Sequence, residues 1–190
     1  MLALADNIPV QWLPIVGRFS LVAYIILFFA WERFRPSRSR FLRLGDGRKT
    51  LRFPLIWWGM REYVWRFTLI FCALWLIVTA VFWSNGILSD FFLYGFLFAV
   101  VNAILEEILW RGLVLGRAID WVGEKQGLLF SSLAFGFYHL SLGFSIWACL
   151  IFAVGGFYLG GVAIRSGGLF APVVMHFFVN IAFVSFGLIF

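Results

Sequence analysis

The sequence predicts an all-α protein, a polytopic membrane helical bundle of about six transmembrane helices. Of its 190 residues, 63% are hydrophobic and only 13% are charged, a balance far outside that of a soluble globular domain. The apolar stretches are too long for strands, and they lack the alternation of a membrane β-barrel. We therefore expect residues 1–190 to form a single membrane domain.

Each predicted span is an apolar stretch comparable to the ~20 residues that a helix needs to cross a bilayer. In chain order the spans are Trp12–Trp31, Phe67–Trp83, Phe91–Leu115, Gly127–Ser141, Ser145–Ile164 and Leu169–Phe190. The fourth would cover only about 22 Å, so we expect its outer end to be sunken and the site to open towards the non-cytoplasmic leaflet. The fifth span contains four glycines, Gly155, Gly156, Gly160 and Gly161. They predict close helix packing or, as the less favoured alternative, a flexible gate.

The positions of the basic residues predict the orientation. Lys and Arg are concentrated between Arg33 and Arg66 and near the ends of later spans, and such residues stay on the cytoplasmic side. Six spans then place both termini outside. The basic stretch also carries Trp57, Trp58 and Trp65, so the net charge of +6 indicates the lipid bilayer and not nucleic acid as its partner. No oligomeric state follows from the sequence.

Polar residues form three motifs inside these apolar stretches: Glu106-Glu107-x-x-x-Arg111, Phe135-x-x-x-His139 and His176-x-x-x-Asn180. An ionisable side chain in hydrocarbon costs from about 3 to more than 10 kcal/mol, so a membrane helix rarely keeps one without a use. Counted along each helix from the basic residue expected at the cytoplasmic headgroups (Arg117, Lys125 and Arg165), Glu106, His139 and His176 all lie roughly 16–21 Å from the cytoplasmic edge. We therefore expect them to share one cavity near the bilayer midplane.

The spacing within the first motif separates the roles of its two glutamates. Neighbouring residues point about 100° apart on a helix, so Glu106 and Glu107 face different directions. Glu107 precedes Arg111 by four residues, the favourable order for an ion pair, and we interpret this couple as structural. Glu106 is then the free carboxylate. Asn102, one turn earlier, either orients Glu106 or bonds to a neighbouring helix.

A carboxylate with an imidazole can deprotonate a water molecule, and a second imidazole with an amide can donate hydrogen bonds to an oxyanion. The motifs, in this order and in apolar helices, resemble those of the CPBP family (CAAX proteases and bacteriocin-processing enzymes), also called the Abi or type II CAAX prenyl endopeptidase family. The family pattern EExxxR, FxxxH and HxxxN/B is present here as EEILWR, FGFYH and HFFVN. The resemblance covers residues 88–190, which we expect to be the catalytic core, with 1–87 supplying two accessory spans and a basic cytoplasmic loop.

The resemblance implies a glutamate-type intramembrane endopeptidase. Glu106 and His139 would activate water, His176 and Asn180 would form the oxyanion hole, and Glu107 and Arg111 would support them. Asn102 is a further candidate supporting residue, from its position one turn before Glu106 and not from the resemblance. The substrate would be a membrane-associated peptide or protein, with a CAAX-like sequence, a bacteriocin leader and a carboxy-terminal sorting signal all open. We expect a multi-pass protein of the bacterial inner (plasma) membrane.

Three alternatives accompany this interpretation. Glu106, His139 and His176 also form a His₂Glu set of the kind that binds catalytic zinc. We favour no metal and no cofactor, because Asn180 is a poor zinc ligand and no carboxylate is left to support a metal-bound histidine. A non-catalytic immunity or scaffold protein of the same family is the second alternative. The third is a proton-coupled membrane carrier, which the lack of repeated halves disfavours.

Overall fold

The computed structural model describes residues 9–37, 41–82 and 88–189 of the chain. Trp83 and Phe190, the last residues of two predicted spans, lie outside this part. In chain order the elements are α1 (Leu13–Arg18), α2 (Ser20–Phe34), β1 (Thr50–Leu55), β2 (Trp58–Tyr63), α3 (Val64–Phe82), α4 (Leu88–Glu107), a π-helix (Ile108–Val114), α5 (Leu115–Val122), α6 (Glu124–Tyr138), a 3₁₀ turn (His139–Leu142), α7 (Ile146–Ser166) and α8 (Phe170–Ser185). The predicted all-α membrane helical bundle is confirmed.

Each predicted span corresponds to a helical segment, but the segments differ in length. Within the described ranges, four helices are long and apolar enough to cross a membrane: Val10–Phe34, Val64–Val81, Leu93–Val122 and Ile146–Ser166. α8 is a shorter apolar helix, and α6 has only 15 residues, about 22 Å of helix. Six crossings of the bilayer therefore stay a prediction.

Residues 50–63 form an antiparallel β-hairpin for which the sequence analysis predicted no strand. Thr50 pairs with Tyr63, and Leu55 pairs with Trp58 across the turn. Leu51 and Ile56 are buried, the first against α3, α7 and α8 and the second against α5, α6 and α7. The hairpin therefore packs on one end of the bundle, the end at which α6 begins and α7 finishes.

The first helix packs against the element that carries the glutamate motif. Ile15 of α1 contacts Phe98 of α4 and Val184 of α8 in one buried cluster. Leu21 of α2 packs in a second cluster with Leu109 of the π-helix. α4 in turn lies against α8, and α6 lies against α7. The helices that carry the three motifs are thus neighbours, and the amino-terminal helix closes one side of them.

Two glycines of α7 are sites of close approach, Gly160 to α6 and Gly161 to the turn of the β-hairpin. A β-carbon at Gly160 would lie 2.5 Å from the side chain of Leu128, and one at Gly161 would lie 2.2 Å from that of Ile56. Gly155, by contrast, has nothing within 4 Å of its β-carbon position. The helix-packing interpretation is therefore supported for Gly160, whereas Gly161 packs against the hairpin; at both positions no larger residue fits without movement.

Candidate active site

Glu107 is the hydrogen-bonding centre of the site. Its Oε1 accepts a hydrogen bond from Nη1 of Arg111 at 2.7 Å and lies 2.7 Å from Nδ1 of His176. Both members of the Glu107–Arg111 ion pair are buried, with the arginine side chain 1% exposed. The pair predicted from the four-residue spacing is therefore present. The bond to His176 was not predicted, and it ties α8 directly to the end of α4.

The contact with Glu107 fixes the orientation of the His176 ring. A carboxylate oxygen accepts hydrogen bonds, so Nδ1 of His176 carries the proton in this bond. Nε2, on the other side of the ring, lies 3.7 Å from Oε2 of Glu106, which is beyond hydrogen-bonding distance. His176 is thus held between the two glutamates, with Nε2 directed towards Glu106.

Glu106 is completely buried, and its nearest cation comes from the first helix. Its Oε1 lies 3.4 Å from Nη1 of Arg18, the last residue of α1. The guanidinium of Arg18 also lies over the ring of Phe98, 5.3 Å from its centroid. Glu106 Oε2 makes no hydrogen bond to any residue that the structure describes. The expectation of a wholly free carboxylate is therefore corrected: one oxygen is ion-paired, and the other faces His176.

His139 begins the 3₁₀ turn that follows α6. Its Nδ1 donates to the backbone carbonyl of Phe135 at 2.9 Å, which leaves Nε2 as an acceptor in the neutral ring. Phe135 lies between the two histidines, with its centroid 5.0 Å from that of His139 and 6.0 Å from that of His176. The guanidinium carbon of Arg111 is 4.3 Å from the same phenyl ring.

The two asparagines contact each other. Nδ2 of Asn102 donates to Oδ1 of Asn180 at 3.5 Å, and Nδ2 of Asn180 donates to the carbonyl of Ala99 at 3.4 Å. Asn102 therefore bonds to a neighbouring helix, the second of its two predicted alternatives. Asn180 is buried one turn beyond His176 on α8, and these two hydrogen bonds of its side-chain amide connect it to α4.

Sequence reasoning missed Arg18, although a signal for it exists. The helical run α1–α2 and the run from α4 through the π-helix to α5 are joined a second time, where Arg117 of α5 forms an ion pair with Glu32 of α2. Arg18 precedes Glu32 by 14 residues and Glu106 precedes Arg117 by 11 residues. Along each helical run, the charge in the first ion pair therefore lies roughly 16–21 Å from the charge in the second. Two parallel helical runs that carry opposite charges at similar separations can form two ion pairs. This pattern predicts that the two runs pack against each other.

A metal site is not formed by the residues as they lie. Among the described residues, no group of three His, Cys, Asp or Glu side chains is arranged to hold a metal ion. The argument that no carboxylate remains to support a metal-bound histidine was wrong, since Glu107 makes that kind of contact with His176. Because Glu106, His139 and His176 do not form such a group as they lie, we derive no step through zinc.

The region that carries the three motifs matches a known family. A family model described as type II CAAX prenyl endopeptidase Rce1-like matches residues 88–182, half of the chain, from the start of α4 to α8. No curated protein and no solved structure matches the sequence. The family is one of membrane proteases, and with the long apolar helices it identifies an integral membrane protein. The chain belongs to the Rce1-like family of type II CAAX prenyl endopeptidases.

Proposed function

We propose that the chain is a glutamate-type intramembrane endopeptidase that hydrolyses a peptide bond of a membrane-associated protein or peptide. The observation that carries this proposal is the pairing of Glu106 Oε2 with His176 Nε2, 3.7 Å apart in a buried site, with the ring held by Glu107. A carboxylate and an imidazole at this separation can both contact one reacting group. Burial of charged and polar side chains to this extent in a membrane helix favours a functional site over a packing role.

In the proposed reaction, Glu106 is the general base. Its Oε2 accepts a proton from a water molecule, whose oxygen then attacks the carbonyl carbon of the scissile bond. His139, with Nδ1 bonded to the carbonyl of Phe135, presents Nε2 as a second acceptor that orients the same water. The proton then passes to the leaving nitrogen as the C–N bond breaks, so the products are a carboxylic acid and an amine.

The oxyanion of the tetrahedral intermediate requires hydrogen-bond donors. We assign this role to His176 and Asn180, as the family resemblance implies. Nε2 of His176 donates only when the ring is protonated on both nitrogens, and Glu107 compensates that charge across the 2.7 Å contact with Nδ1. The amide nitrogen of Asn180 has two N–H donors, and the bond to the carbonyl of Ala99 at 3.4 Å uses one of them, so the second can donate to the oxyanion. Arg111 in turn orients Glu107.

The substrate class and setting belong to the same proposal. The catalytic part is residues 88–190, no metal or cofactor takes part, and the substrate is an apolar segment with a CAAX-like sequence, a leader peptide or a carboxy-terminal sorting signal. The site acts within the bacterial inner (plasma) membrane, on a substrate that shares the bilayer. Anionic lipid headgroups, and not nucleic acid, contact the basic stretch.

The test compares membranes that contain the native chain with membranes that contain Glu106→Gln, which keeps the shape of the side chain and removes its charge. Amino termini of membrane proteins are labelled with an amine-reactive tag and identified by mass spectrometry. We expect a set of new termini that depends on Glu106. Glu62→Gln on the β-hairpin is the matched control and should leave the set unchanged. Equal sets in the native chain and Glu106→Gln, at equal protein levels, would favour a non-catalytic scaffold instead.

A further inference from the structure

A cavity of about 360 Å³ lies beside the buried carboxylate of Glu106. It is bounded by α1, by α4, by the end of α6 with its 3₁₀ turn, and by the chain after α8. Its lining is mainly apolar and includes Leu13, Pro14, Phe98, Leu142, Phe144 and Ile189. Among the lining residues that the structure describes, Arg18 is the one that carries a charge.

Arg18 separates this cavity from the carboxylate. Its side chain is 15% exposed and lines the cavity, whereas the side chain of Glu106, 3.4 Å away, is 0% exposed and does not. Tyr138, the residue before His139, lines the same cavity. A molecule in the cavity would therefore meet Arg18 before it met Glu106, and it would lie next to the turn that carries His139.

We propose that this cavity receives the substrate, an extended peptide segment with apolar side chains, and that Arg18 is the positioning residue for it. This inference rests on the proposed endopeptidase function. A guanidinium has five N–H donors in a planar fork, and only one of its nitrogens faces Glu106 here. The remaining donors bind backbone carbonyl oxygens of the substrate. The bound chain draws Arg18 from Glu106 and brings the scissile carbonyl next to the water molecule that Oε2 deprotonates.

The cavity lies at the end of the bundle opposite the hairpin. Ile56 of the hairpin packs against Leu128 near the start of α6, whereas Tyr138 and Leu142 line the cavity at and beyond the end of that helix. The hairpin belongs to the basic part of the chain, which the positive-inside rule places in the cytoplasm. With this predicted orientation, the proposed substrate enters from the non-cytoplasmic side.

The first test asks what occupies the cavity. A photoreactive benzoylphenylalanine replaces Leu142 in the full-length Glu106→Gln chain, and in a control it replaces Trp147, a residue of α7 that is 74% exposed. After irradiation of the native membranes, we expect the Leu142 probe to capture the same proteins whose new amino termini depend on Glu106, and the Trp147 probe to capture them much less. Capture of lipid alone, or of the same species at both positions, overturns the proposal.

The second test asks what Arg18 does. Arg18→Met keeps the length of the side chain and removes the donors, Arg18→Lys keeps the charge, and Arg33→Met removes an exposed arginine from the following helix. We expect Arg18→Met to slow formation of the Glu106-dependent termini by about tenfold to a hundredfold per folded molecule, the equivalent of one charge-assisted hydrogen bond. Arg18→Lys should recover part of that loss, and Arg33→Met should match the native chain.

The two tests separate this inference from the function on which it rests. If no new termini depend on Glu106, the endopeptidase itself is refuted. If such termini form but Arg18→Met makes them at the native rate per folded molecule, Arg18 only stabilises the fold and the positioning role is refuted. A larger effect on KM than on kcat, measured with a synthetic peptide that spans an identified cleavage site, is the expected signature of substrate positioning.

Discussion

Replacement of Glu107 by glutamine tests whether the second glutamate orients His176. Glutamine preserves the size of the side chain and an oxygen acceptor, but it removes the negative charge that Arg111 and His176 both face at 2.7 Å. A hydrogen bond to a charged group contributes about 1.5–3 kcal/mol, and each 1.4 kcal/mol is a factor of ten in rate. We therefore expect the rate of processing to fall by about tenfold to a hundredfold.

The same substitution should also destabilise the fold. Arg111 is 1% exposed, and without a carboxylate partner its buried charge is uncompensated. Removal of one partner of a buried pair costs about 3–5 kcal/mol. Glu62 and Arg66 form an ion pair with the same four-residue spacing, but their side chains are 35% and 52% exposed. Glu62→Gln is the matched control, with an expected cost below about 1 kcal/mol.

The assay measures two quantities on the same purified chain in lipid. Thermal unfolding gives the change in stability, and the rate of formation of Glu106-dependent amino termini, divided by the folded fraction, gives the change in activity. A native rate per folded molecule in Glu107→Gln would show that Glu107 serves only the stability of the helix pair. Native stability in that variant would contradict the burial argument itself.

Three further predictions concern packing and metal. Gly161→Ala and Gly160→Ala should each lower stability by about 1–3 kcal/mol in thermal unfolding, because their β-carbons would overlap neighbouring side chains, whereas Gly155→Ala should stabilise by up to about 1 kcal/mol. Equal effects at all three positions would refute the packing argument. Phe135→Ala should cost about 3–5 kcal/mol and slow processing, since the ring contacts both histidines; unchanged processing per folded molecule would limit Phe135 to packing. Prolonged treatment of active protein with a chelator should leave the rate unchanged, and inhibition that zinc reverses would overturn the metal-free proposal.

The convergence of the motif residues could be predicted because helical geometry is regular. The rise per residue sets the depth of Glu106, His139 and His176, and the spacing of Glu107 and Arg111 sets their ion pair. The structure brings Glu106 and Glu107 to the two sides of the His176 ring. Depth and spacing do not give the rotation of each helix about its axis, so neither the Arg18 partner of Glu106 nor the contact between Glu107 and His176 could be assigned from the sequence.

Two local structures, a π-helix and a β-hairpin, could also not be predicted from the periodicity of the sequence. Ile108–Val114 form a π-helix directly after the two glutamates, which widens the turn that carries Arg111. The hairpin at residues 50–63 has strands of only six residues, and its apolar and aromatic residues resemble those of an interfacial segment as much as those of a strand. In both cases tertiary packing selects a conformation that local composition leaves open.

Arg18, the ion-pair partner of the proposed base Glu106, lies outside the region that matches the family. The match begins at residue 88, yet the nearest cation to Glu106 comes from α1. Glu107, the glutamate that we interpret as structural, forms its ion pair with Arg111, which lies four residues later and within the matched region. Glu106, which we propose as the base, depends on a separate helix for its counter-charge. Because that helix also borders the cavity, a change in the amino-terminal region would alter both the environment of the base and access to it, with every motif residue intact.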